Sequence, residues 1–332
     1  MYFNYKEISA ENTKHFKIHG RTLFDGGLLI SWSNSGIELN FKGNKIEFNF
    51  AEYSAVQPVY VKGFTENGEQ RFGLFGIMPK VIFEFDNEKT HTIKLLRVSA
   101  GDVPLVLKSI RIYGKNPDFL NPPAEKKLKL EFLGDSITAG YGVLSPADCT
   151  VYYTCDEDST KSYAYLTASI LNADIRTEAY SGQGVYRNCE GEEGYQFKRI
   201  FDMKIRVRDG YDHSQWSPDV MILNCGTNDV SGGTNEDTMY KEADFLIDKV
   251  RGVYPSAKII LTYGMMNDKF HPVFKKLVAD KNKKGDRNLY YLPLEIITSE
   301  KDEKGAVGHP NVNASVRASK KLAKFIEKIL KM

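Results

Sequence analysis

The 332-residue sequence predicts an all-β sandwich followed by an α/β domain built on a parallel sheet. Three observations predict it. From about residue 15 to 113, short runs of period-two alternation are separated by Gly, Asn and Asp turns, with almost no helical periodicity among them. Prolines then interrupt the pattern at Asn116-Pro117 and Asn121-Pro122-Pro123, where a missing N–H donor and a restricted preceding residue break any ladder. Beyond them strand-like and helix-like segments alternate to the end, the rhythm of a parallel sheet with helices on both faces. The domains expected are therefore 1–120 and 121–332.

In the first domain Ile37, Leu39 and Phe41 alternate, Gly43-Asn44 marks a turn, and Ile46, Phe48 and Phe50 alternate again, which predicts a hairpin. Further strands are expected over 59–64, 81–85, 91–95 and 106–112; so many short strands pack most naturally as a sandwich of jelly-roll type. In the second domain strands are expected over 128–133, 174–179, 220–224, 258–262 and 289–292. Helices are expected over 162–171, 237–253 and 273–279, with a last one from about Asn313. On that last helix Lys320, Lys321, Lys324, Lys328 and Lys331 form a wet face opposite Leu322, Phe325, Ile326 and Leu330. Trp216 is read as packing at the foot of the strand that follows it.

Composition narrows the partners. Lys+Arg 45 against Asp+Glu 43 leaves a formal net charge of +2, too small for the electrostatic footprint of a dedicated nucleic-acid binder. No window is apolar enough to cross a bilayer, so no membrane partner is expected, and the start Met1-Tyr2-Phe3-Asn4-Tyr5-Lys6-Glu7 lacks the basic and apolar regions of a secretion signal. A cytoplasmic protein is expected, or a secreted one if a leader has been trimmed. Cys149, Cys155, Cys189 and Cys225 match no zinc spacing and read as free thiols, a Cys149–Cys155 link being the alternative. Asp156-Glu157-Asp158 reads as a solvated acidic run rather than a metal site, because the ligand spacing of known cation loops is missing.

Function in an open α/β sheet is sought where strands end and loops begin. The first strand ends in Leu133-Gly134-Asp135-Ser136-Ile137-Thr138, which puts a serine hydroxyl at a strand-to-helix turn with its backbone N–H at a helix start. The turn Tyr180-Ser181-Gly182-Gln183-Gly184 offers glycines whose backbone can approach a ligand, and Asn224-Cys225-Gly226-Thr227-Asn228-Asp229 ends a strand with an amide donor. His309, in Gly308-His309-Pro310-Asn311 before the last helix, has the pKa of a general base. Singly, each has a plainer reading: Asp and Ser cap turns, glycines make them, and a lone histidine is surface loop. Four such motifs in order at successive strand ends point to acyl transfer instead, with Ser136 as nucleophile, His309 as base, and the Ser136 N–H, Gly182 N–H and Asn228 side chain as oxyanion donors. That chemistry needs no cofactor and no metal. Asp135, Tyr141, Gly184, Tyr186 and Tyr263 lie in or near these loops and are expected to face substrate, although for each tyrosine taken singly packing is the plainer role.

The blocks Gly134-Asp135-Ser136-Ile137-Thr138, Ser181-Gly182-Gln183-Gly184, Gly226-Thr227-Asn228-Asp229 and His309-Pro310 resemble the four blocks of the SGNH/GDSL hydrolase superfamily, over roughly residues 126 to 332. With Gly20-Arg21-Thr22 and the 32–39 stretch added, the whole chain resembles carbohydrate esterase family two. The resemblance implies a jelly roll ahead of a flavodoxin-like α/β/α SGNH domain, and removal of acetyl groups, often from O6, from acetylated mannan, xylan or glucomannan and their oligosaccharides. It assigns the same roles to Ser136, Gly182, Asn228 and His309. The sequence departs from the superfamily where an Asp commonly stands three or two residues before the histidine; here those positions are Ala306 and Val307, which implies a Ser–His dyad oriented by a backbone carbonyl unless Asp302 or Glu303 swings in. Gly308 stands where the family often has Trp. Two other readings stay open: a carbohydrate-binding protein with a vestigial esterase site, and a short-chain esterase for a non-sugar substrate.

Overall fold

The computed structural model describes residues 4–77, 79–100 and 103–332; residues 1–3, on which the reading of the N-terminus partly rests, lie outside them. The chain divides into two compact units, 1–125 with 204–206, and 126–203 with 207–332. The return of 204–206 to the first unit carries no sequence signal. It is fixed there by Trp32 Nε1, which donates to Lys204 O at 3.1 Å, and by the Arg206 N–H, which donates to Ser31 Oγ at 3.0 Å.

The first unit begins with β1 (Asn4–Ser9), β2 (Phe16–His19), β3 (Thr22–Phe24), β4 (Leu28–Ile30), β5 (Gly36–Lys42) and β6 (Lys45–Phe50). It continues with β7 (Val59–Thr65), β8 (Gly68–Leu74), β9 (Lys80–Glu84), β10 (Thr90–Arg97), β11 (Leu105–Gly114) and β12 (Asp118–Phe119). Among the described residues these strands form two antiparallel sheets, β3-β4-β11-β6-β9 with β1 on β11, and β12-β5-β10-β7-β8 with β2 on β5. Period-two alternation sends Ile37, Leu39 and Phe41 of β5, and Ile46, Phe48 and Phe50 of β6, into one core with Leu107, Ile110 and Ile112.

The hairpin expected across Gly43-Asn44 does not form. β5 pairs with β10 while β6 pairs with β11 and β9, so the connection steps from one sheet to the other. Close packing explains the glycine: a Cβ on Gly43 would lie 2.5 Å from Ile112 Cγ2 and 2.6 Å from Tyr113 O. Asn44 spends its backbone groups on other strands, its N–H donating to Tyr113 O and its carbonyl accepting from the Phe85 N–H.

The second unit opens with β13 (Lys129–Gly134), α1 (Ser136–Ala139), α2 (Tyr163–Ile170), β14 (Asp174–Ala179) and α3 (Phe197–Ile200). After the short β15 (Met203–Ile205), whose residues from Lys204 on belong to the first unit, and β16 (Arg208–Asp209) come β17 (Val220–Asn224), α4 (Thr227–Ser231), α5 (Glu236–Val253) and β18 (Lys258–Gly264). The chain ends with α6 (His271–Lys283), β19 (Leu289–Leu294) and α7 (Val312–Leu330). The sheet is parallel with order β14-β13-β17-β18-β19, which puts the change of winding direction between β13 and β17. Leu130, Phe132, Val220 and Ile222 face α2 and α7 through a core containing Ala164, Ala168, Ala318, Leu322 and Ile326. Met221, Leu223, Ile259 and Leu261 are buried as well, and a strand covered on both faces reads as a continuous apolar run.

Lys320, Lys324 and Lys328 are exposed on α7 and Lys331 just beyond its end, Lys321 is half-buried beside Glu295, Leu322 and Ile326 are buried, and Phe325 packs edge-on against Tyr290. Trp216 lies four residues ahead of β17 under the Arg176 guanidinium, 4.4 Å from its ring. The four cysteines are free thiols. Among the described residues no helix is long and apolar enough to cross a membrane.

Candidate active site

The Gly-Asp-Ser-Ile-Thr segment folds into a tight strand-to-helix turn, and each residue has a physical reason. A Cβ on Gly134 would sit 2.1 Å from Thr138 Oγ1, so only glycine lets α1 fold back over the end of β13. Asp135 is the N-cap of α1, its Oδ1 accepting the Ile137 N–H at 2.9 Å. Ser136 is then the first helical residue, whose N–H has no intrahelical acceptor and points out of the helix start. Gly140 closes the helix in the left-handed conformation, φ 85°.

His309 arrives from the loop before α7, and its Nε2 lies 2.9 Å from Ser136 Oγ across 173 residues of sequence. The loop is pinned to the segment after α1: the Ala306 N–H donates to Gly142 O, the Val307 N–H to Cys149 O and the His309 N–H to Ala306 O. Val307 takes φ 52°, ψ 34°, a left-handed conformation that a β-branched residue rarely adopts. Burial lowers the imidazole pKa below its ordinary value, and the carbonyls of Val307 and then Ala306 oppose that shift. Among the described residues Nδ1 makes no bond of full hydrogen-bond geometry. Glu303 is not free to swing in, because Arg317 Nε and Nη2 hold its two carboxylate oxygens at 2.5 and 2.9 Å.

Asn228 stands in the first turn of α4 behind Gly226, and its Nδ2 donates to Gln183 O at 2.8 Å, tying the turn after β17 to the turn after β14. An amide nitrogen carries two protons, so this bond leaves one. Gly182 takes φ 78°, and its carbonyl accepts the Cys189 N–H at 2.9 Å. Gly184 is confined by Asp229, whose buried carboxylate accepts the N–H groups of Val185, Tyr186 and Arg187 at 2.9, 2.8 and 3.0 Å. Sequence reasoning gave Asp229 no role, although it closes the block Gly226-Thr227-Asn228-Asp229. Burial raises the Asp229 pKa despite those three donors.

The substrate-facing set separates. Tyr263 is fully buried with its ring against Phe274 and His271, so it has no surface to offer a sugar and belongs to the core. Asp135 is likewise buried and serves as a cap. Tyr141 is half-buried and engaged by protein rings, stacked on Tyr152 (centroids 3.7 Å, 14°) and tilted against His309 (4.5 Å, 39°). Tyr186 is half-buried with the Arg187 guanidinium 5.4 Å from its ring. The acidic run also differs from expectation. Glu157 is buried and accepts the Tyr152 hydroxyl, and Asp158 is buried as the cap of a 3-10 turn, accepting the Thr160 N–H at 3.0 Å. Among the described residues no group of acids, histidines and cysteines is arranged to hold a metal.

A serine and a histidine meeting at the end of the first parallel strand mark a class that the sequence comparison also finds: residues 132–289 match the GDSL-like Lipase/Acylhydrolase family, and this chain carries a GDSL-like acylhydrolase domain. The chain is 30% identical over 283 residues to the cellulase/esterase CelE of Acetivibrio thermocellus, covering 79% of this chain and 33% of that protein. It is 31% identical over 140 residues to an acetylxylan esterase / glucomannan deacetylase of Cellvibrio japonicus, covering 39% of this chain and 38% of that protein. The chain thus spans about a third of the length of these curated relatives. Among solved structures it is similar to an acetyl xylan esterase from the rumen bacterium Butyrivibrio proteoclasticus, with TM-score 0.89, 22% identity, and 98% and 99% of the two chains covered. It is similar as well to a family two carbohydrate esterase from Clostridium thermocellum in complex with cellohexaose, with TM-score 0.88, 24% identity, and 95% and 99% covered. The fold extends over both units in each likeness.

Proposed function

We propose that this protein is a carbohydrate esterase that removes O-acetyl groups from plant-type polysaccharides or their oligosaccharides by Ser–His acyl transfer. The observation that carries the reading is the 2.9 Å approach of His309 Nε2 to Ser136 Oγ at the carboxyl end of β13. His309 takes the Ser136 proton as Oγ attacks the ester carbonyl, and the tetrahedral oxyanion is held by the Ser136 and Gly182 N–H groups and the second Asn228 amide proton. The imidazole returns the proton to the leaving sugar oxygen; it then activates a water that releases acetate from the acyl-enzyme. With no acid at 306 or 307, the carbonyls of Val307 and Ala306 favour the imidazolium that forms during the reaction. The curated relatives named for acetylxylan and glucomannan support acetylated xylan or glucomannan as substrate, with O6 the first position to test. The two sheets of the first unit fit a jelly roll.

Ser136→Ala is expected to fold normally and to release no acetate from acetylated oligosaccharides or from an aryl acetate. Mass spectrometry of a mixed acetylated pool before and after incubation reads activity and regiochemistry together. Wild-type turnover by that variant would overturn the assignment.

A further inference from the structure

We infer that Tyr141 is a positioning residue for the general base: its ring, backed by Tyr152, fixes the plane of the His309 imidazole in place of the carboxylate that the histidine loop lacks. The inference rests on the acyl-transfer reading above and deepens it. Among the described residues the Nδ1 of His309 has no hydrogen-bond partner, so the imidazole keeps freedom about its outer torsion, which is broad and nearly two-fold for ring side chains. A ring laid against it removes that freedom. The Tyr141 centroid lies 4.5 Å from that of His309 at a tilt of 39°, and Tyr152 stacks on Tyr141 at 3.7 Å and 14°. The stack is anchored in turn: the Tyr152 hydroxyl donates to the buried Glu157.

Tyr141 is also tied to the nucleophile, because its N–H donates to Ser136 O at 3.0 Å just past the end of α1. One short turn therefore sets both the serine and the ring that holds its base. Two rings this close occupy the stacking surface of Tyr141, which leaves it poorly placed as a sugar platform. The ionisable groups that act on this tyrosine are Glu157 and Cys189; after burial they push its phenol pKa up, so the ring stays neutral. No charged side chain is among the causes that set the imidazole's affinity.

The test compares Tyr141→Leu and Tyr141→Phe for aryl acetate hydrolysis across pH, with His309 titrated by NMR in the same proteins. Tyr141→Leu is expected to lower kcat about tenfold while KM stays within about twofold, the pattern of a misaligned base rather than lost binding. Its acid limb should move to higher pH, because water reaching the imidazole undoes the burial that lowers its pKa. Tyr141→Phe, which keeps the ring, should rescue both. Wild-type kcat and acid limb in the Leu variant would overturn the inference, and so would a Phe variant as impaired as the Leu one. Should Tyr141→Leu fail to fold, Tyr152→Leu removes only the backing ring and should give the same split in smaller measure. If the wild type cleaves no acetyl ester, the esterase reading fails; an imidazole pKa unmoved by Tyr141→Leu sinks the positioning role on its own.

Discussion

Gly184 and Asp229 approach so closely that a Cβ on the glycine would stand 2.5 Å from Oδ2 of the carboxylate, and 2.1 Å from Arg187 O. Neither atom can retreat, since the carboxylate holds the N–H groups of Val185, Tyr186 and Arg187 and thereby shapes the loop that begins at Gly182. Gly184→Ala is therefore expected to lower kcat/KM on an aryl acetate by about tenfold or more, because a shift of about 1 Å in an oxyanion donor is that costly. Asp229→Ala strands three backbone donors and should lower the unfolding free energy by about 3 kcal/mol, read from urea melts. Wild-type kinetics for Gly184→Ala would refute the claim that this loop sets the site.

Much of the second unit was legible because both faces of its sheet are buried. The run Val220-Met221-Ile222-Leu223-Asn224 has no polar interruption until its last residue, so its bounds follow from hydrophobicity alone. The hairpin at Gly43-Asn44 was misread for a related reason: alternation tells which side chains enter a core, and both strands do, yet it says nothing about which strand is the hydrogen-bonding partner. Tyr263 was misplaced because a tyrosine at a strand end is drawn equally by a cleft and by the core behind it. Glu157 and Asp158 were misread as solvated because three adjacent acids carry no periodicity to show that the fold buries two of them, where they accept from the Tyr152 hydroxyl and the Thr160 N–H.

Val307 keeps a left-handed backbone while the residue is 47% exposed, so the conformation is imposed by the loop and not by burial of the valine. Val307→Asn suits that conformation and should match or exceed wild-type stability by up to about 1 kcal/mol with activity retained. Val307→Pro cannot adopt φ 52° and loses the N–H that donates to Cys149 O at 2.8 Å, so it should abolish turnover. Ala306→Asp should not restore a triad. The alanine is fully buried, 2.7 Å from where a Cβ on Gly142 would lie, and a carboxylate there should cost about 3 kcal/mol or more. Faster turnover by Ala306→Asp than by the wild type would contradict this packing.

Asp135 gives stability a pH dependence of its own. Burial raises its pKa to about 7; the Ile137 N–H opposes the shift and the Asp229 charge adds to it. The native chain therefore binds a proton that the unfolded chain, with a pKa near 3.8, has already released. The contribution is fully present below that lower value and is lost as pH rises towards 7, by up to about 4 kcal/mol. Asp135→Asn keeps an acceptor for the Ile137 N–H but cannot titrate. Its unfolding free energy should consequently fall less than the wild type's between pH 4 and 7, in urea melts at matched ionic strength. Parallel curves would show that the carboxyl is already ionised in the native state at pH 4.

Glu303 and Arg317 hold the histidine loop to α7 from below. Burial raises the Glu303 pKa, but the Arg317 bonds, the Thr298 N–H and the guanidinium charge more than offset it, so the carboxyl is held below its ordinary value. The stabilisation is present above the unfolded carboxylate pKa and disappears as pH falls through the lower folded one. Glu303→Ala opens a cavity but leaves Arg317 its second carboxylate partner, Glu295 Oε2 at 2.9 Å, so it should cost about 1–2 kcal/mol. The same residue's carbonyl accepts the Asn311 N–H at 3.0 Å, and Asn311 caps α7 two residues beyond His309. Slackening there should reach the base, lowering kcat on an aryl acetate several-fold with KM little changed. A double-mutant cycle with Arg317→Ala separates the two effects: coupling in stability of about 1 kcal/mol or more is expected between contacting charges, and its absence would show that α7 docks without this pair.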